Sequence, residues 1–480
     1  MTMNECLPLS EQAKESAKAV KLAKLFVILA LLFGVLMIFI EPPFVIPDEN
    51  KHYINICRIS HGGIFPQVKD DAVGSYITAE ELDFLAIYEG VFINNENTYD
   101  LHSAVAHSQR IPTEELVFYK TGDATLNPTP YLIPAFAIAV LRFLFGSLNA
   151  FNSYFVAKLA NLVFFVIVVR WALLKTKAMR KTMFLLALMP MTMFQAASAS
   201  YDGCLISASF LLFAYLTKVL LSDDEYHISR EDILAICFSA VFLIGVKVAY
   251  APIILVLFAI PIKKFGTLKR YLICVGTVAG LGILFFGVPM LANRVITASC
   301  ETVTSEVQLL QQQFIRENPM ILPKMFFNTI SYFSGYYLEG FFGILGWLDT
   351  NFPAMIVKLF LTLLFITAIA EVSVLKGIRW NVRLLSWAGI TVFVVGTVYT
   401  MYSVWNPILT GIVGGDVAYG GQGRYFIPIA LFLILILANP WLNKLRVRQK
   451  IHDCLEGAVS LTALTTLCLT LFVLFVRYWI

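Results

Sequence analysis

The sequence predicts an all-α polytopic membrane protein, and three observations carry that prediction. Of 480 residues, 58% are hydrophobic and only 14% are charged. A soluble domain carries about a quarter charged residues. The mean hydropathy is +0.75. Apolar segments recur near residues 25–40, 129–146, 154–170, 182–199, 203–221, 233–249, 251–262, 271–292, 354–374, 385–405, 425–441 and 458–476. Most approach the length needed to cross roughly 30 Å of hydrocarbon.

The N-terminal stretch 1–24 carries Lys14, Lys18, Lys21 and Lys24 and is expected in the cytoplasm. Residues 25–480 then form one transmembrane domain. The first apolar run ends at Glu41-Pro42-Pro43, not at a small-residue cleavage site, so it reads as an uncleaved signal anchor. Short basic connections follow: Arg170 to Lys181; Lys263, Lys264, Lys269 and Arg270; Lys376, Arg379 and Arg383; Lys444 to Lys450. The positive-inside bias assigns these to the cytoplasm.

That assignment forces a choice at 129–146. If it crossed, the Arg170–Lys181 cluster would fall outside. Pro130 and Pro134 interrupt its start and Arg142 lies within it. It is therefore expected to lie along the outer leaflet as an interfacial helix. Eleven spanning helices remain. Outside them lie a large first loop with juxtamembrane helices (41–153), a second large loop (293–353) and a short one (406–424). The expected location is the plasma membrane, with the active face extracytoplasmic and the lipid bilayer as an obligate partner. The net charge of +4 is small, and no nucleic-acid partner is expected.

Eight cysteines are scattered with no C-x-x-C pair, so no metal or disulfide framework is implied. Cys57 and Cys300 fall in the two large loops and are the candidates for a bridge; otherwise free thiols are expected. His102 and His107 have no recognised ligand spacing.

The candidate chemistry sits where helices leave the bilayer. Ile46-Pro47-Asp48-Glu49-Asn50-Lys51-His52-Tyr53 follows the first span. Pro47 stops that helix, and Asp48 is placed to cap the next one. His52 then lies one turn beyond Asp48 on the same face. Asp202 follows Ser200-Tyr201, Lys247 ends a span just before Tyr250, and Arg424 with Tyr425 follows a glycine-rich run. Charge in a membrane costs roughly 2.5–3.5 kcal/mol on insertion scales, so each needs a reason. Ordinary reasons exist: snorkelling for Lys247, capping of loop carbonyls for Arg424, a helix N-cap for Asp202. Together they supply carboxylates and fixed cations at one level. That set suits a transfer in which a carboxylate takes a hydroxyl proton and cations hold a departing phosphate.

Pro47-Asp48-Glu49 after the first span resembles the GT-C class of membrane glycosyltransferases, which use a polyprenyl-phosphate-linked sugar as donor. The resemblance implies a GT-C-like fold. It makes Asp48 the first-loop catalytic aspartate and Asp202 the second acid, and it makes Pro128 to Gly146 the juxtamembrane helix. The whole chain more closely resembles the bacterial domain of unknown function 2142 family of membrane proteins. The matching pieces are Pro47-Asp48-Glu49 with His52, Pro130-Tyr131 with Pro134, Tyr201-Asp202, Lys247 with Tyr250, Gly346-Trp347-Leu348-Asp349, and Gln422-Gly423-Arg424-Tyr425-Phe426 with Pro428. One departure is Lys158, where relatives more often carry arginine. Lysine meets a phosphate as a point charge and not as a fork.

The expected function is that of an inverting glycosyltransferase. It would move a hexosyl or pentosyl group from a polyprenyl-phosphate donor to a cell-envelope glycan or lipid. Asp48 is the expected base. Glu49, His52 and Asp202 position the acceptor or a divalent metal ion, and Lys247 and Arg424 bind the donor phosphate. Tyr53, Tyr250, Tyr425, Lys158 and Trp347 complete the candidate binding residues, with Trp347 read either as a sugar or lipid contact or as a buried loop anchor. A transporter or flippase for a lipid-linked polysaccharide, or a non-catalytic assembly protein, is the alternative. A transporter built on inverted repeats would show paired broken helices, and the break at Pro252 has no partner.

Overall fold

The fold was analysed in a computed structural model, which describes residues 9–93, 97–121, 127–298, 306–373, 375, 378–438 and 449–480. Cys300, Lys376, Lys444, Arg446 and Arg448 lie outside the described residues. The first helix, α1 (Leu9–Ile40), ends just before Pro42-Pro43. After α2 (Glu49–Ser60), the chain forms β1 (Gln67–Lys69) and β2 (Ala72–Thr78), then α3 (Ala79–Tyr88), α4 (Leu101–Ser108) and β3 (Leu116–Lys120). Next come α5 (Leu132–Phe145), α6 (Ala150–Lys175), α7 (Arg180–Ala187), α8 (Pro190–Ala196), α9 (Asp202–Leu220) and α10 (Arg230–Val246). A 3-10 helix (Val248–Ala259) precedes α11 (Leu268–Gly282), which continues through a π turn into α12 (Val288–Thr297). The rest is α13 (Glu306–Glu317), α14 (Ile321–Gly343), a small hairpin of β4 (Ile344–Leu345) and β5 (Thr350–Asn351), α15 (Ala354–Ser373), α16 (Trp380–Thr400), α17 (Asn406–Thr410), α18 (Ala430–Ile436) and α19 (Gln449–Trp479).

Seven helical stretches among the described residues are long and apolar enough to cross a membrane: Lys14–Ile40, Ala150–Lys175, Asp202–Leu220, Leu268–Ile296, Ala354–Ser373, Trp380–Thr410 and Cys454–Trp479. Four of the eleven expected segments are not among these seven. Segment 182–199 is divided into α7 and α8, because Pro190 takes the first turn of a new helix. Segment 233–249 is a helix of 17 residues. Segment 251–262 is 3-10 geometry around Pro252, which supplies no backbone donor. In 425–441 the described part is one 3-10 turn and the short α18. The α7–α8 pair is buried from Thr182 to Ala196 and stands in the middle of the molecule. Glu371 of α15 caps α7, accepting from the Lys181 and Thr182 amides at 3.0 and 2.9 Å.

The all-α expectation also needs a correction in the first loop. There β1, β2 and β3 form a three-stranded antiparallel sheet in that order. Lys69 pairs with Ala72 across a two-residue turn, and Asp70 and Asp71 are both left-handed (φ 52° and 55°). Paired positive φ values match the right-handed twist of a tight hairpin, and aspartate tolerates them.

Helix α5 has two faces. Arg142 donates to Glu81 Oε1 at 2.8 Å and to Ser60 Oγ at 2.9 Å, while Glu81 also bonds His61 and caps α3. Its other sides expose Phe136, Phe143 and Leu144. A charge tied to the loop domain on one side and bare apolar side chains elsewhere suit a helix lying along a membrane surface.

Close backbone contact fixes two turns. Gly203 lies against the Ala196 backbone, so α9 starts tight on α8. Gly423 lies against the backbone of Tyr337 and Phe341 on α14, where a Cβ would overlap main-chain atoms. Gly423→Ala should therefore cost about 3 kcal/mol, the upper part of the range for overpacking. A clear fall in the unfolding midpoint in detergent is the expected result, and an unchanged midpoint would refute this packing.

Candidate functional site

The site begins at the exit of α1. Phe44 and Asp48 both adopt left-handed backbone (φ 62° and 66°). For a phenylalanine this is strained, and the surroundings hold it. Its amide donates to the Tyr154 hydroxyl at 3.2 Å and its carbonyl accepts from Trp347 Nε1 at 2.8 Å. Asp48 occupies the N-cap of α2, yet its side chain makes no capping bond. It is 55% exposed, with Lys51 Nζ at 3.7 Å. A carboxylate that makes no capping bond and is half exposed is within reach of a substrate.

The next residue, Glu49, points the other way. It is fully buried, and its Oε1 accepts the Ala199 amide at 2.7 Å. That bond joins the first turn of α2 to the turn leading into α9. There, Asp202 faces Arg424, with Nε to Oδ2 at 3.6 Å. Gln195 of α8 bridges them. With its amide nitrogen toward the carboxylate, it donates to Asp202 Oδ2 at 3.2 Å and accepts from Arg424 Nη1 at 3.0 Å.

Lys247, just past α10, lies over the Tyr425 ring at 4.3 Å and the Tyr201 ring at 5.9 Å. Such stacking on aromatic faces partly replaces water around an ammonium. Among the described ion pairs none involves Lys247. Tyr250 braces this corner, donating to the Tyr425 carbonyl at 2.9 Å and stacking on Phe393.

His52 sits at the centre. Its Nδ1 is 2.8 Å from the Tyr131 hydroxyl, and its ring packs edge-on against Tyr201 at 4.8 Å. Burial lowers its pKa to about 4. Asp202 and Asp48 oppose that shift, and Arg424 and Lys247 reinforce it. Asp48 lies one turn before His52, and the Tyr201 ring that packs on His52 also adjoins Lys247 and is followed by Asp202, the partner of Arg424, so contacts link all four charges to this imidazole.

Four of the candidates from sequence therefore stand elsewhere or play another part. Tyr53 is buried, donating to the Ala150 carbonyl at 2.7 Å. Trp347 is a loop anchor through Phe44. Lys158 is fully buried and paired with Glu41 at 2.9 Å, away from any open surface. Glu49 reaches the site through the backbone it holds. His107 bonds the Tyr88 hydroxyl at 2.8 Å, while His102 is exposed. Cys57 is a buried free thiol. Among the described residues, no group of three or more His, Cys, Asp or Glu side chains is placed to hold a metal ion. Sequence reasoning missed three residues of the cluster. Tyr131 and Tyr201 stood inside quoted motifs, and Gln195 was visible as a lone amide within an apolar run.

Seven long apolar helices among the described residues define a polytopic helical membrane protein, and this polar cluster stands among them. The chain belongs to the DUF2142 family of predicted membrane proteins, whose family model matches residues 31–433. No curated protein matches it.

Because burial holds His52 neutral, its proton uptake is deferred to acid. The folded pKa lies below the unfolded one, so stability is lost as pH falls from about 6.5 to about 4. Nitrogen chemical shifts of the His52 ring in the labelled protein should report a neutral imidazole at pH 6. Titration near 6.5 would contradict its burial.

Proposed function

We propose that this protein is an inverting glycosyltransferase of the GT-C type. It moves a sugar from a polyprenyl phosphate to a cell-envelope glycan or lipid on the outer face of the plasma membrane. The observation that carries the reading is the meeting of two carboxylates and two cations around His52. The N-terminus and the basic connections then lie in the cytoplasm, by the positive-inside bias. Lys263 and Arg379 support a common level there, since both pair with Asp224, at 3.0 and 3.7 Å.

In the proposed reaction an acceptor hydroxyl oxygen attacks the anomeric carbon. Asp48 takes the hydroxyl proton. The bond from that carbon to the phosphate oxygen breaks, and its electron pair leaves with the polyprenyl phosphate. Asp48 suits the base because its carboxylate is exposed and makes no capping bond to the α2 backbone. Lys247 suits the leaving phosphate because aromatic rings, not a carboxylate, surround its ammonium. Arg424 offers a second cation, with Gln195 and Asp202 setting its orientation. His52 and Tyr131 supply neutral hydrogen-bonding groups for the acceptor. Glu49 is a positioning residue: it holds the turn that carries Tyr201 and Asp202.

A general base typically contributes 10²–10⁴-fold, and one preorganised electrostatic contact about 10²–10³-fold. Asp48→Asn should accordingly remove the same envelope sugar modification as a deletion, at equal protein level in the membrane. Lys247→Met should reduce it by about a hundredfold. If Asp48→Asn leaves the glycan composition unchanged while deletion alters it, the base assignment fails. A transport or assembly role for a lipid-linked polysaccharide then replaces it.

A further inference from the structure

Behind the site lies a second group of charges that the proposed chemistry does not use. Glu41, Glu49 and Lys158 are each fully buried. Lys158 Nζ donates to Glu41 Oε2 at 2.9 Å, and Glu49 Oε1 accepts from Ala199. The other two carboxylate oxygens, Glu41 Oε1 and Glu49 Oε2, have no hydrogen-bond partner among the described residues. Two carboxylates against one ammonium leave one uncompensated negative charge. Unpaired charge inside a protein is costly enough that a group neutralises instead.

The titratable and charged groups facing this pair come from every side. They are Lys158 and Tyr154 from α6, Glu49 from α2, and Tyr478 from α19, whose hydroxyl is itself unpartnered. Asp349 and its partner Arg477 act on Tyr478 from beyond. Arg477 is engaged there by Asp349 and by the Phe92 carbonyl.

We propose that Glu41, Glu49 and Lys158 form a buried site that binds one proton, carried on Glu41 Oε1. The protonated Glu41 leaves Glu49 and Lys158 as a charge-balanced pair. A metal ion is the poorer occupant, because a hard cation takes about six or more oxygens and only two carboxylate oxygens are open here. Burial is the main force raising the Glu41 carboxyl, to about 7, and the neighbouring Glu49 adds to it. The consequence reaches the other site through one bond. Losing the proton sets two buried carboxylates against each other, and Glu49 is the group that holds the Ala199 turn. The inference does not depend on which reaction the protein performs.

The sign of the pH dependence follows. The folded pKa of Glu41 lies above the unfolded one, so its contribution to stability is lost as pH rises from about 4.5 to about 7. The test is infrared spectroscopy of the purified full chain, paired with thermal unfolding. A protonated-carboxyl stretch is expected at pH 6. It should fade by about pH 8, vanish in Glu41→Gln and shift in frequency in Glu41→Asp. The unfolding midpoint of the wild type, measured relative to that of Glu41→Gln at each pH, should fall as pH rises from about 4.5 to about 7. Replacing sodium by choline should change nothing. If Glu41→Gln does not fold, the wild-type band and its shift in Glu41→Asp decide. Absence of the band, or a midpoint that climbs with sodium concentration, overturns the proposal.

Discussion

The Glu49 carboxylate accepts the Ala199 amide at 2.7 Å, and the polar end of the bundle depends on that bond. It crosses 150 residues of sequence. On one side it fixes the first turn of α2, and with it the exposed Asp48. On the other it fixes the turn that carries Tyr201 into α9 and presents Asp202 to Arg424. A buried charge-assisted bond of this kind is worth about 1.5–3 kcal/mol, and breaking it strands a carboxylate in a dry interior. Adjacent residues thus divide two tasks. Asp48 faces outward and is free to react, while Glu49 faces inward and holds the frame.

The surrounding architecture supplies what that bond needs. Phe44, strained at φ 62°, is gripped by Tyr154 and Trp347. The Gly346–Asp349 hairpin is tied in turn to α19 by the Asp349–Arg477 pair at 3.1 Å. The exit of α1 is therefore clamped by α6, by the hairpin and by α19. Gly423 lets α14 and the Arg424 turn meet main chain to main chain.

Much of this was legible in the sequence because chemistry and position coincide there. Charges beside long apolar runs are few and costly, so Asp48, Asp202, Lys247 and Arg424 stood out individually. Arg142 stood out within 129–146, and its bond to Glu81 shows how that charge is satisfied. Other features were hidden for physical reasons. The partner of Lys158 is Glu41, 117 residues away, and no local pattern announces such a pairing. Pro190 was visible, but a proline in the first turn of a helix fits a continuous apolar run as well as a break. The Asp70-Asp71 hairpin was hidden because its positive φ values belong to the backbone and not to composition. Gln195 had no local signal of its role, which depends on α8 facing both Asp202 and Arg424.

The central claim is that Lys247 and Arg424 form one anion site for a polyprenyl phosphate. Its most direct test is the affinity of the purified chain for a polyprenyl monophosphate, compared with the Lys247→Met and Arg424→Met variants. Each removed contact of about 1.4 kcal/mol should weaken binding about tenfold. Wild-type binding that salt weakens and either substitution reduces by that factor would support the account. Equal affinity in all three proteins would contradict it.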